Sequence, residues 1–338
     1  MKANIKKNKN KLYIGIQILR IIFSFHILVF HCINKTKYKS KLIKSVLIDL
    51  KTFFIISSFF SYNTFTSRNI LKIELRFKRL LIPYILWPII FFIINNSNSI
   101  NNIYLLSNIK YLYYQLLIGN GIHSVFWFQF NLIFVSIIFL ITIFLIKKRY
   151  ILYLFIIAIL CFLFKITSFY KKMNVKFKNI AYFSIQPIPS SFISLFFGFY
   201  LSFIRVIDKI NKNKYIAIIL FLSIFCFYIY GNEIYNKYIY LSFFISDFSA
   251  ISLFLLFMVF PFDKIRINIF YNIIKIISNY SGGIYYIHNK IILFLDSINI
   301  KIERRSMKIC IINYIICYNI CFLGHFIFKK SDLKYLFV

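Results

Sequence analysis

Acidic residues are scarce in this chain. Its 338 residues include 9 Asp and Glu against 42 Lys and Arg, a formal net charge of +33. Glycine (8) and proline (5) are also few, which excludes a collagen-like or low-complexity chain. Only 15% of the residues are charged and 60% are hydrophobic, whereas a soluble domain carries about 25% charged residues. A water-soluble core built from this composition would have almost no polar surface to solvate it. The length excludes a small disulfide scaffold, and the six cysteines, Cys32, Cys161, Cys226, Cys310, Cys317 and Cys321, contain no CxxC pair. They fall within or at the edge of apolar segments and read as small packing residues. HExxH, P-loop, GxSxG, GxGxxG and paired-carboxylate motifs are missing as well, so metal catalysis has no support. What remains is an all-α, polytopic integral membrane helix bundle.

The basic residues sit in short clusters between apolar runs, where they meet anionic headgroups and set topology. Alanine occurs only five times while Ile, Asn, Lys, Phe and Tyr abound, a usage that an AT-rich genome would produce. The positive charge therefore does not imply nucleic acid. A membrane helix needs roughly 20 largely apolar residues, and about ten segments qualify: 12–33, 43–62, 80–95, 125–146, 150–169, 181–204, 215–230, 239–260, 281–298 and 309–328. The pieces 111–119 and 268–278 suit interfacial or re-entrant helices. The lysine-rich start resembles a signal peptide, but the run after it is long, contains Arg20 and lacks a small-residue cleavage site, so it reads as a retained first helix. Lys and Arg are more frequent in the N-terminus, even-numbered loops and C-terminus than in the odd-numbered loops, which places both termini in the cytoplasm. No internal repeat or long soluble insertion appears. Residues 1–338 form a single membrane domain, with a basic N-terminus over 1–11 and a short tail over 329–338.

An ionisable side chain inside a span is a functional candidate by default. The first span holds Arg20, His26 and His31. Eleven residues make close to three helical turns, so Arg20 and His31 project from one face, about 16 Å apart along the axis. His26 points elsewhere. A long ligand with a phosphate at one end and a reactive group at the other can engage both, and coenzyme A thioesters have that form. The alternative is that Arg20 snorkels to lipid phosphate and His31 bonds a neighbouring helix.

The stretch from Leu19 to His31 resembles the first helix of the acyltransferase 3 family, membrane O-acyltransferases of bacterial surface glycans, whose signature is Arg or Lys, ten residues, then His. Phe53 to Phe59 resembles its FFxxSGF segment. Arg76, Arg79 and Pro83 resemble its RxxR and proline pattern leading into the third helix. Ser281 to His288 resembles its late SxGIYLIH helix, and Trp127, Phe128 and Gly198 fall where a WF pair and a glycine are usual. There are departures: Ser58 replaces a glycine, Lys51 stands where Asp or Pro is common, His123 is four residues before Trp127, and Asn289 follows His288 in place of proline.

The resemblance implies transfer of an acyl group, most often acetyl, from cytoplasmic acyl-CoA (acetyl-CoA as cosubstrate, with no metal) to a sugar hydroxyl of a surface polysaccharide or its lipid-linked precursor at the bacterial inner membrane. It implies that His31 is general base or acyl carrier, for which imidazole is suited. Arg20 would bind a CoA phosphate, and Arg76 and Arg79 would grip the same nucleotide or anchor the third span to lipid. Ser57 lines an acyl tunnel or bonds its own helix. Trp127 supports the site, and His288 orients substrate or pairs with another helix. Asp247, the only acid in the middle of a span, neutralises Lys51 or Lys290, or orients a histidine. A polytopic transporter or flippase for a glycan is the competing class, although such proteins commonly show internal repeats and broken helices.

Overall fold

Inside a bilayer, backbone N–H and C=O groups have only each other for partners, and a helix satisfies them within one segment. All regular elements among the described residues are helical. The computed structural model describes residues 2–32, 38–96, 102–119, 126–172, 187–205, 218, 239–259, 268–297 and 307–338. They form α1 (Lys2–Cys32), α2 (Tyr38–Thr66), α3 (Ile70–Asn96), α4 (Asn102–Ile118), α5 (Phe126–Ile146), α6 (Tyr150–Lys172), α7 (Pro187–Phe203), α8 (Ile239–Val259), α9 (Asn268–Asn279), α10 (Ser281–Ser297) and α11 (Met307–Ile327), followed by a 3-10 helix over Asp332–Phe337.

Among the described residues, four helical stretches are long and apolar enough to cross a membrane: Ile14–Cys32, Ile70–Ile94, Phe126–Ile146 and Lys308–Ile327. The protein is thus a helical, integral membrane bundle. The expected span at 215–230 lies outside the described residues. The third span departs from expectation, beginning at Ile70 instead of residue 80. Asn69 explains the early start, because its Oδ1 accepts from the Lys72 backbone N–H at 3.1 Å and caps the new helix. Glu74 and Lys78, four residues apart and 3.1 Å from each other, hold the next turn. Pro83 and Pro88 lie inside α3 and remove two backbone donors. Neighbours reach this helix through side chains: Gln129 donates to the Leu80 carbonyl at 2.8 Å, and the Trp87 indole donates to the Leu336 carbonyl at 3.0 Å.

Helix α1 sits centrally, touching α2, α8, α9, α10 and α11. Its residues Leu28 and Val29 join a core with Phe54, Phe126, Phe199 and Ile284, while Ile16, Leu19 and Phe23 join a second cluster with Ile55 and Phe254. Residues 332–337 are docked into the bundle against α3, α10 and α11, with Tyr335, Leu336 and Phe337 buried.

The most extensive contact is that of α2 with α7. A Cβ on Gly198 would collide with the Ile55 carbonyl and the Ser58 hydroxyl, so the absence of a side chain allows the two backbones to approach. Ser58, in the place of the family's usual glycine, folds its hydroxyl back onto the Ile55 carbonyl at 3.1 Å. Close packing survives because the facing residue is Gly198. Overpacking of this kind costs about 1–3 kcal/mol. Gly198→Ala should therefore lower the unfolding temperature of the detergent-purified protein, and an unchanged melting curve would disprove the close crossing.

Candidate active site

Along α1, Ile16, Arg20, Ser24 and Ile27 recur at intervals of three or four and line one side of a cavity of about 710 Å³. From α3 come Lys72, Arg76 and Arg79, spaced by four and three and so on one face as well. Ser57 of α2, Gln129 of α5 and Tyr285 of α10 complete the parts used below. Lys72 and Arg79 are exposed at the mouth, whereas Arg20 and Arg76 are partly buried. No Asp or Glu side chain is among the described residues that line this cavity.

Arg76 and Arg79 are held by neutral groups. Arg76 donates from Nη2 to the Ser57 hydroxyl at 3.1 Å and lies 5.4 Å from the centre of the Phe65 ring. Its Nε is buried and has no hydrogen-bond partner. Arg79 lies 5.8 Å from the centre of the Tyr335 ring, which the 3-10 helix presents. Hydroxyls and aromatic faces fix a guanidinium without cancelling its charge. The arrangement suits a ligand carrying several anionic oxygens.

His31 is not on the cavity wall. It continues the α1 stripe one turn past Ile27, about 6 Å further along the axis. There its ring lies 4.9 Å from that of His288, centre to centre. His288 is one turn beyond Tyr285, with ring centres 6.1 Å apart, and Tyr285 lines the cavity. Phe128, also on the wall, packs against Phe54 at 4.3 Å and Tyr285 at 5.6 Å. The structure therefore joins Arg20, Arg76, Arg79 and Ser57 around one space and sets His31 and His288 together just past it.

The other candidates stand apart from that space. Asp247 pairs with Lys51 at 2.7 Å and accepts from Ser194 at 3.2 Å, while Lys51 also donates to Ser246 at 2.6 Å. Both ions are buried and neither lines the cavity. Lys290 instead lies over the Phe91 ring at 5.4 Å. Trp127 packs its ring against Phe128 at 6.3 Å, behind the wall. Lys72, Gln17 and Gln129 line the cavity and were not singled out from sequence. The spacing of Lys72, Arg76 and Arg79 was the available signal for the first of these, hidden because α3 was expected to start later.

Fold and cavity together define a membrane-embedded protein with a cationic cavity and, beside it, a histidine pair of the half-buried His31 and the buried His288. The profile of the acyltransferase 3 family, described as an acyltransferase domain, matches residues 13–331, and the chain belongs to that family. It is accordingly a membrane acyltransferase, and the transporter reading gives way. No curated protein and no solved structure shows significant similarity to the chain.

Breaking a buried ion pair by removing one partner costs about 3–5 kcal/mol, whereas an apolar replacement of both is commonly tolerated. Asp247→Asn should reduce thermal stability strongly, and the double variant Lys51→Met/Asp247→Leu should recover most of it. Loss of acyl transfer by a double variant of normal stability would give the pair a role in the reaction instead.

Proposed function

We propose that the protein is an O-acyltransferase that moves an acyl group, acetyl by preference, from cytoplasmic acyl-CoA to a hydroxyl of a surface polysaccharide or its lipid-linked precursor in the bacterial cytoplasmic membrane. The observation that carries the proposal is the convergence of Arg20, Arg76 and Arg79, from two separate motifs, on one cavity with no acidic side chain among its described lining. The unspent Nε of Arg76 is a further donor for a phosphate oxygen. The CoA phosphates would rest among these arginines, and the pantetheine arm would run along α1 toward His31, about 16 Å from Arg20 along the axis.

His31 then serves as general base. It takes the proton of the acceptor hydroxyl while that oxygen attacks the thioester carbonyl. The tetrahedral intermediate collapses with cleavage of the C–S bond, and the proton passes to the departing thiolate. Alternatively, a nitrogen of His31 attacks the thioester carbonyl, the C–S bond breaks with loss of the CoA thiolate, and the acyl-imidazole then passes its acyl group to the hydroxyl, whose proton goes to the freed imidazole nitrogen. With ten spans and both termini in the cytoplasm, the start of α3 faces the cytoplasm, where acyl-CoA is available. The meeting of Lys78 with Asp332 at 3.1 Å supports this orientation, since it brings the 332–337 helix to the end of the bundle that holds Lys72 and Arg79.

Acyl-CoA turnover in purified membranes tests the reading. His31→Ala should slow transfer by roughly 10²–10⁴-fold at unchanged protein level. Full activity in that variant would remove the catalytic assignment. Arg20→Ala should chiefly raise the KM for acyl-CoA, and an unchanged KM would return Arg20 to a lipid-anchoring role. An acyl-protein adduct trapped on rapid quenching and lost in His31→Ala would select the carrier route.

A further inference from the structure

His288 is 1% exposed. Its Nδ1 lies 3.2 Å from the carbonyl oxygen of Ile284, one turn earlier in α10. A carbonyl oxygen only accepts, so Nδ1 carries the proton and Nε2 bears a lone pair. That Nε2 is buried and has no hydrogen-bond partner. A buried acceptor left unspent is unfavourable in a low-dielectric interior, so the site is poised to receive a donor. The neighbouring imidazole is His31, at a ring-centre separation of 4.9 Å and an interplanar angle of 49°. An N–H···N bond of about 3 Å between two imidazoles places their ring centres roughly 5 Å apart. The separation already fits such a bond, and only the ring orientation has to change.

We infer that His288 is the positioning residue of His31, an inference that rests on the reading of His31 as the base. Its Nε2 accepts the N–H of one His31 nitrogen and so fixes the tautomer in which the other nitrogen presents its lone pair to the acceptor hydroxyl. When His31 takes the hydroxyl proton, the imidazolium has two N–H groups. One stays on His288 Nε2, and the other returns its proton to the departing thiolate. His288 itself is neither protonated nor acylated. A neutral acceptor performs the orienting task that a carboxylate performs in other histidine enzymes, in a chain whose mid-span Asp247 is bound to Lys51.

Two substitutions separate positioning from packing. His288→Asn can retain the donation to the Ile284 carbonyl but has no atom at the Nε2 position. His288→Gln can place its amide oxygen there as an acceptor. Both are made in the full chain, in membranes, with acetyl-CoA as donor. The expected result is a kcat loss of at least about tenfold for His288→Asn with the KM for acetyl-CoA within about twofold, and recovery to within about threefold of the parent for His288→Gln. The double variant His31→Ala/His288→Asn should be no slower than His31→Ala alone, because the two residues act as a unit. Equal activity of the Asn and Gln variants, a change confined to KM, or additive losses in the double variant would overturn the assignment. Full activity of His31→Ala would instead overturn the base itself, a separate failure.

Discussion

A guanidinium within an apolar bundle must be paired, hydrated or neutralised, and this chain has few acids with which to do it. Lys51 receives Asp247. Two of the three arginines around the cavity, Arg76 and Arg79, meet a serine hydroxyl and aromatic faces, groups that hold position and leave the charge intact. No acidic side chain among the described lining residues offsets them. The early start of α3, the docked 332–337 helix and the stripe on α1 all serve this arrangement, because each delivers or steadies one of its cations.

Helix α1 links the cavity to the histidine pair. One face carries Arg20 at the cavity and His31 beyond it, so a single element fixes the distance between the two side chains. Its contacts with α2, α8, α9, α10 and α11 hold that face in place. Helix α10 runs in company with it, lining the cavity with Tyr285 and presenting His288 a turn later.

Much of the bundle was legible from hydropathy, since a bilayer demands long apolar runs and leaves helices as the solution. The first helix and its Arg20–His31 spacing were legible for the same reason, because helical periodicity converts sequence separation directly into a shared face. The start of α3 was not. Residues 70–79 are too basic to score as a span, and the Asn69 cap with the Glu74–Lys78 pair outweighs that signal locally. Lys72 was missed along with it. The partner of Asp247 was also undecidable, because Lys51 and Lys290 are distant in sequence and only helix packing selects between them.

Composition and periodicity determined by themselves that this is a helical membrane protein whose informative charges lie inside its spans, and the motif spacings pointed to a family later established across residues 13–331. These are local properties, readable one helix at a time. The tertiary structure alone decided that arginines of α1 and α3 share a cavity, that Gly198 makes room for Ser58, that Asp247 belongs to Lys51, and that His31 meets His288. Each of those depends on which helix faces which, and facing is set by the packing of the whole bundle, where no single segment carries the information.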